Sequence, residues 1–142
     1  INTMNSDGTD QINISNNNVE DSNPSWSPDG SKIVFTSNRD GNMEIYIMNV
    51  DGTNQLRLTN NESLEYKPFW SDDGTKIAFT SERDGNAEIY IMNSDGTKQT
   101  RLTNTFDIDE WATSWSSDGS KIAFESDRDG NWQIFVMDNI PT

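Results

Sequence analysis

Acidic side chains recur at one fixed distance from a repeated tryptophan. Asp21, Glu65 and Glu110 each stand five residues before such a tryptophan. Carboxylates brought together repel one another, and they favour a hard cation that is coordinated through oxygen. The spacing therefore makes these three acids candidate ligand-binding residues and candidate ligands of a Ca²⁺ ion. In the alternative interpretation they are solvated or cap backbone amides, with Lys67 balancing Glu65.

Two further tryptophans depart from the repeated pattern. Trp111 ends an acidic segment at 106–111, which we expect to be a loop, and Trp132 stands where the other copies have Met43 and Ala87. We expect both rings on one face of the molecule. Because indole stacks and attracts cations, Trp111 and Trp132 are candidate ligand-binding residues for a peptide, a cationic group or a sugar. The alternative is packing of the two rings against each other.

Composition excludes several functional classes. The chain has no His and no Cys, which removes the Ser-His-Asp triad and thiolate chemistry, so we predict no catalytic residue and no enzyme. Glycoside hydrolysis by paired carboxylates is the remaining enzymatic alternative. A net charge of −14 disfavours nucleic acid as a partner. The absence of a long apolar run argues against membrane insertion.

The elements that carry these residues follow from a repeat. The phrase Trp-Ser-x-Asp-Gly begins at Trp26, Trp70 and Trp115. Each copy contains a short segment ending in an Asp-Gly turn, two β-branched and aromatic runs joined by a hairpin, and a shorter alternating run. Four antiparallel strands in a period of this length are typical of a β-propeller blade, and a β-solenoid fits less well.

Two more sets of side chains recur with the blade. The three tryptophans that open the repeated phrase are expected to pack between neighbouring sheets. An arginine in the hairpin turn of each copy is expected to link blades by binding a carboxylate nearby or in the next blade. These arginines are Arg39, Arg83 and Arg128.

The repeat covers the whole chain and predicts one domain, 1–142. Within a blade we call the strands a, b, c and d. The expected organisation is a strand d at about 10–16, full blades at about 24–60 and 68–104, and strands a to c at about 113–138.

The repeated phrases also resemble a known family. Pro-x-Trp-Ser-Pro-Asp-Gly, Lys-Ile-x-Phe, Arg-Asp-Gly-Asn and Ile-Tyr-x-Met-Asn-x-Asp-Gly-Thr are similar to the WD40-like PD40 repeat of TolB-like β-propellers. The resemblance implies a six-bladed ring, a periplasmic or secreted location, and a scaffold that binds a protein or peptide. No signal peptide is visible in this sequence.

Three blades fall short of the six that the resemblance implies. Two chains would supply them, so we predict a homodimer in which each strand d completes the last blade of the other chain. Ile1–Met4 matches Ile134–Met137 in the repeat, so one copy would be redundant. An engineered or excised half-propeller, acting only as a self-assembly module, is the alternative.

Overall fold

A computed structural model describes residues 1–141, including their side chains except those of residues 112 and 113. This part of the chain is all-β, and it contains no helix that could cross a membrane. The strands are β1 (Asn2–Thr3), β2 (Ile12–Asn13), β3 (Asp21–Trp26), β4 (Lys32–Ser37), β5 (Glu44–Asn49), β6 (Leu56–Arg57), β7 (Glu65–Trp70), β8 (Lys76–Ser81), β9 (Glu88–Asn93), β10 (Thr100–Arg101), β11 (Glu110–Trp115), β12 (Lys121–Ser126) and β13 (Gln133–Asp138).

Two complete antiparallel sheets form the middle of the molecule. Blade 1 has the order β3-β4-β5-β6 and blade 2 the order β7-β8-β9-β10. The central strands are apolar on both faces because a sheet covers each side, and Ile33, Val34 and Phe35 of β4 are all buried. The predicted four-stranded antiparallel blade is confirmed.

The two ends of the chain form smaller sheets. Blade 3 has three strands in the order β11-β12-β13. At the other end β1 and β2 form an N-terminal ladder, in which Asn2 lies opposite Asn13 and Thr3 opposite Ile12. Strand β1 therefore occupies, beside β2, the place that strand c has in a complete blade.

Asp-Gly turns connect strands a and b. In the last copy, Asp118 accepts hydrogen bonds from the Ser116 and Ser120 hydroxyls and from the Ser120 amide. The Ser116 hydroxyl, followed by the Ser120 amide and hydroxyl, lowers the pKa of Asp118 to about 2. The side chain thus closes the turn in its ionised form.

The turns between strands c and d require glycine for a further reason. Gly96 has a φ of 86°, and a Cβ atom there would lie 2.9 Å from the Leu58 carbonyl oxygen of blade 1. This close approach of two backbones lets blade 2 pack directly against strand d of blade 1.

The repeated tryptophans behave differently along the chain. Trp70 packs with Val34, Ile45 and Ile47 of blade 1, and Trp115 packs on the buried cluster of blade 2, as predicted. Trp26 does not pack in this way within the chain, since it is 53% exposed. The N-terminal ladder in front of it has no strands a and b to cover the ring.

Candidate functional site

The three repeated acids open the first strand of each sheet. The sequence made them candidate ligand-binding residues, but an arginine from the following hairpin turn folds back over each of them. The pairs are Arg39–Asp21 at 3.2 Å, Arg83–Glu65 at 3.0 Å and Arg128–Glu110 at 2.8 Å. The Glu65 and Glu110 side chains are fully buried and that of Asp21 is 2% exposed. Arg83, not Lys67, balances Glu65.

These acids are separate from one another. Among the residues that the structure describes, no three acidic side chains gather into a set that could hold a metal ion. The Ca²⁺ site expected at Asp21, Glu65 and Glu110 thus has no preformed ligand cluster in this part of the chain.

A second row of buried acids was not predicted from the sequence. Glu44 and Glu88 begin the third strand of blades 1 and 2, and strand d supplies the arginine for each. The Arg57–Glu44 distance is 2.8 Å and the Arg101–Glu88 distance 2.5 Å. The signal in the sequence was the common separation of 13 residues within each pair.

Burial and hydrogen bonding shift the pKa values of the three repeated acids in opposite directions. Burial raises the pKa of Glu65 and of Glu110, and the hydrogen bonds and arginine at each offset it only in part. At Asp21 burial acts in the same sense, but hydrogen bonds from Ser15, Ser37 and other donors outweigh it and lower the pKa. The raised pKa values therefore report burial that outweighs the pairing with arginine, and the lowered pKa of Asp21 reports hydrogen bonding that outweighs burial.

The hairpin-turn arginines act within blades rather than between them. Besides its carboxylate, the Arg83 guanidinium lies 4.6 Å from the ring centre of Tyr90 and donates to Gln99 at 2.9 Å, all in blade 2. The predicted link between blades is made instead by the glutamine. Gln99 Nε2 donates to the Leu58 carbonyl oxygen of blade 1 at 3.2 Å.

The two irregular tryptophans share one cavity. Trp111 lies within β11, opposite Glu125, rather than in the expected loop. Trp132 directly precedes β13 and is 54% exposed. Together with Lys67, Asp109 and Glu125 they line a cavity of about 480 Å³. We call these five residues the tryptophan site.

Blade 2 supports Trp111 from one side. The Tyr66 and Trp111 ring centres are 5.6 Å apart, and Lys67 Nζ lies 4.7 Å from the Trp111 ring centre. Lys67 reaches this position from a backbone with φ of 46°, at the bulge of β7. Its ammonium is also 3.7 Å from Glu125 Oε2.

Chemically, the tryptophan site already holds a cation. The Lys67 ammonium lies between an indole face and a carboxylate, which is the environment that recognises a basic side chain. Trp132 and Asp109 add a second indole and a second acid on the same cavity. Lys67 engages Trp111 and Glu125, so the exposed part of the site is the Trp132 ring.

Comparison with known proteins supports the resemblance noted from the repeats. The model of the family described as the TolB beta propeller domain matches residues 1–104 and 68–140. Comparison with curated proteins found no match.

Among solved structures, TolB from Acinetobacter baumannii aligns with a TM-score of 0.87 and 30% identity over 97% of this chain and 34% of that protein. A putative TolB from Agrobacterium tumefaciens aligns with a TM-score of 0.78 and 28% identity over 88% of this chain and 48% of that protein. This chain thus spans between a third and half of those two proteins. A puromycin-hydrolyzing peptidase from Mycobacterium tuberculosis, 17% identical with a TM-score of 0.71, shares the fold alone.

Proposed function

Because the chain belongs to the TolB β-propeller family, we propose that it is a non-enzymatic scaffold that binds a protein or peptide at the tryptophan site. The family supports a location in the periplasm or outside the cell. Fold alone does not determine activity, so the proposal depends on the site.

One observation supports binding at the tryptophan site. Trp111 and Trp132 are the tryptophans that break the repeat, and the fold brings both to a single cavity. Residues that only build a blade recur in every blade, as Trp70 and Trp115 do. Large aromatic side chains at one exposed depression are characteristic of the centres of protein interfaces.

Charge indicates the kind of ligand. The chain carries a net charge of −14, and Asp109 and Glu125 line the cavity beside the indole rings. Long-range attraction and local contacts therefore both favour a segment rich in Lys or Arg. The ligand that we propose is a basic segment of a protein.

A fluorescence-polarisation titration tests this proposal. The probe is a dye-labelled peptide of alternating Lys and Gly, and its counterpart carries Gln in place of Lys. We expect the lysine peptide to bind and its affinity to fall as salt rises from about 0.05 to about 0.5 M, because salt screens exposed charges. Equal binding of the two peptides would contradict the proposal.

A matched pair of variants locates the binding. Trp132→Ala removes an exposed ring at the site, and Leu56→Ala removes a similarly exposed apolar side chain on strand β6. We expect at least about a fivefold loss of affinity for Trp132→Ala, equivalent to about 1 kcal/mol, and none for Leu56→Ala. The same affinity in both variants would place the peptide elsewhere.

Calcium binding is a separate proposal that follows from the acidic charge. Since Asp21, Glu65 and Glu110 each hold an arginine, binding there requires those ion pairs to open. Thermal unfolding in Ca²⁺ and in EDTA tests it, because a ligand of the folded state raises the Tm. Coincident melting curves would contradict it.

A further inference from the structure

One face of blade 3 is exposed where the other blades are covered. Ile134 and Val136 of β13 are 64% and 62% exposed. Their counterparts in the other blades are 5% exposed or less: Ile45, Ile47, Ile89 and Ile91. In blade 1 the cover is Trp70, which comes from the following blade.

At the opposite end of the molecule, blade 1 has an exposed tryptophan of the kind that covers this face in the other blades. Trp26 is the counterpart of Trp70, yet it is 53% exposed whereas Trp70 is 8% exposed. Blade 1 thus offers an uncovered tryptophan, and blade 3 offers the uncovered apolar face on which such a tryptophan packs elsewhere in the chain.

Backbone hydrogen bonds indicate which strand fits beside β13. In blade 1, strand d is fixed by a bond from the Leu58 amide to the Ile45 carbonyl oxygen and by one from the Ile45 amide to the Thr59 hydroxyl, each 2.8 Å long. In the N-terminal ladder the Ile14 amide donates to the Ile1 carbonyl oxygen at 2.9 Å, and the terminal amino group of Ile1 donates to the Ser15 hydroxyl at 2.8 Å.

Ile1 therefore stands in the position of Ile45, and the repeat gives Ile134 that same position. The segment Gln11–Ser15 has the donors and acceptors that the edge of β13 requires. Beside β13 lies a groove of about 470 Å³, lined in part by Leu102, Phe135 and Met137.

Charge supports the same match. The first residue of strand c is Glu44 or Glu88 in the complete blades, and the last residue of strand d is its partner arginine. In blade 3 the first residue of strand c is Gln133, and in the N-terminal ladder the last residue of strand d is Asn13. Both members of the ion pair are replaced by amides, so β2 beside β13 leaves no charge without a partner.

We propose that the exposed face and edge of blade 3 bind a second copy of the chain, with strand β2 of one copy completing blade 3 of the other. Trp26 then packs on the partner's Val136, and Gln11 faces the partner's Arg128 as Gln99 faces Arg83. Two such contacts related by a twofold axis close a ring of six blades. The proposal does not depend on peptide binding at the tryptophan site.

The exchange displaces β1 from β2. Strand β1 holds β2 through two residue pairs, as strand c holds strand d in blades 1 and 2, so the exchange conserves the number of pairs. Strand β13 already belongs to a three-stranded sheet, so little further conformational entropy is lost when it pairs with β2. The exchange also buries the exposed side chains of Ile134 and Val136, which favours association.

Crosslinking between two singly substituted chains tests the contact, because the native sequence has no cysteine. The register of Leu56 opposite Ile47 in blade 1 places Ile12 opposite the partner's Val136. We expect a short bis-maleimide to crosslink a mixture of Ile12→Cys and Val136→Cys chains into a dimer, and neither chain alone. A mixture that yields no dimer would overturn this contact.

Light scattering on size-exclusion fractions provides the second measurement. We expect a mass of about 32 kDa for the native chain, twice 16.1 kDa. Val136→Asp should reduce it to 16.1 kDa with unchanged circular dichroism, because the charge would lie in the contact. Leu56→Asp, at a similarly exposed strand position, should leave the dimer intact. A native mass of 16.1 kDa at every concentration would overturn the proposal.

Discussion

At the scale of single residues, the carboxylates of this chain have a structural role that their spacing did not reveal. The recurrence of Asp21, Glu65 and Glu110 was evident from the sequence, but their burial was not. Their arginines lie 18 residues later in every copy, a signal that the sequence contained. It does not by itself distinguish a pair within a blade from one between blades, because the turn geometry decides this.

Arg83→Met tests the cost of leaving a buried carboxylate without its partner. Glu65 is fully buried, so we expect the free energy of unfolding to fall by about 3 to 5 kcal/mol, measured by urea denaturation. Lys121→Met is the control, because its pair with Asp138 is largely exposed and should contribute less than about 1 kcal/mol. Equal losses in the two variants would contradict this role of Arg83.

The lowered pKa of Asp118 predicts how the free energy of unfolding depends on pH. Its pKa falls from 3.8 to about 2 on folding, so the unfolded state binds more protons between these values. Its stabilising contribution is full above pH 3.8 and is lost as the pH falls through about 2. The difference in unfolding free energy between the native chain and Asp118→Asn should shrink over that interval. A constant difference would show that ionisation of Asp118 does not hold the turn.

At the scale of elements, the blade was predictable because its signals are local. Alternation, β-branched runs and Asp-Gly turns recur with the period, and each specifies a strand or a turn without reference to distant residues. The extent of strand a was less predictable. It begins at Asp21 rather than near Pro24, and it includes Trp111, because bulges let polar and irregular sequence remain in the sheet.

Two glycines with positive φ allow the effect of a close contact between blades to be separated from that of backbone conformation. Gly96 and Gly85 both have positive φ, but only Gly96 approaches another blade within 4 Å. Gly96→Ala should therefore lower the free energy of unfolding by about 1 to 3 kcal/mol more than Gly85→Ala, measured by thermal or urea denaturation. Similar values for both variants would mean that the two blades can separate slightly without cost.

At the scale of the whole molecule, neighbouring sheets cover each other except at the two ends. Trp26 at one end and Val136 at the other are exposed for this reason, although both repeat positions are buried in the middle of the chain. The sequence predicted the period and the four strands of a complete blade, but it did not predict β1. It did not predict which copies lie uncovered, since exposure depends on neighbours rather than on the repeat.

The tryptophan site also belongs to this scale, because two blades and three strands meet there. The sequence identified Trp111 and Trp132 by their departure from the repeat. It did not identify Lys67, whose side chain crosses from blade 2 to Trp111 and Glu125. Contacts of this kind depend on how sheets stack.

The most direct test of binding at this site follows the indole N–H signals of the five tryptophans by NMR while the lysine–glycine peptide is added. Substituting each tryptophan by phenylalanine assigns its signal. We expect the signals of Trp111 and Trp132 to shift together along one binding curve, while those of Trp70 and Trp115 stay fixed. Shifts confined to other tryptophans, or none at saturating peptide, would contradict it.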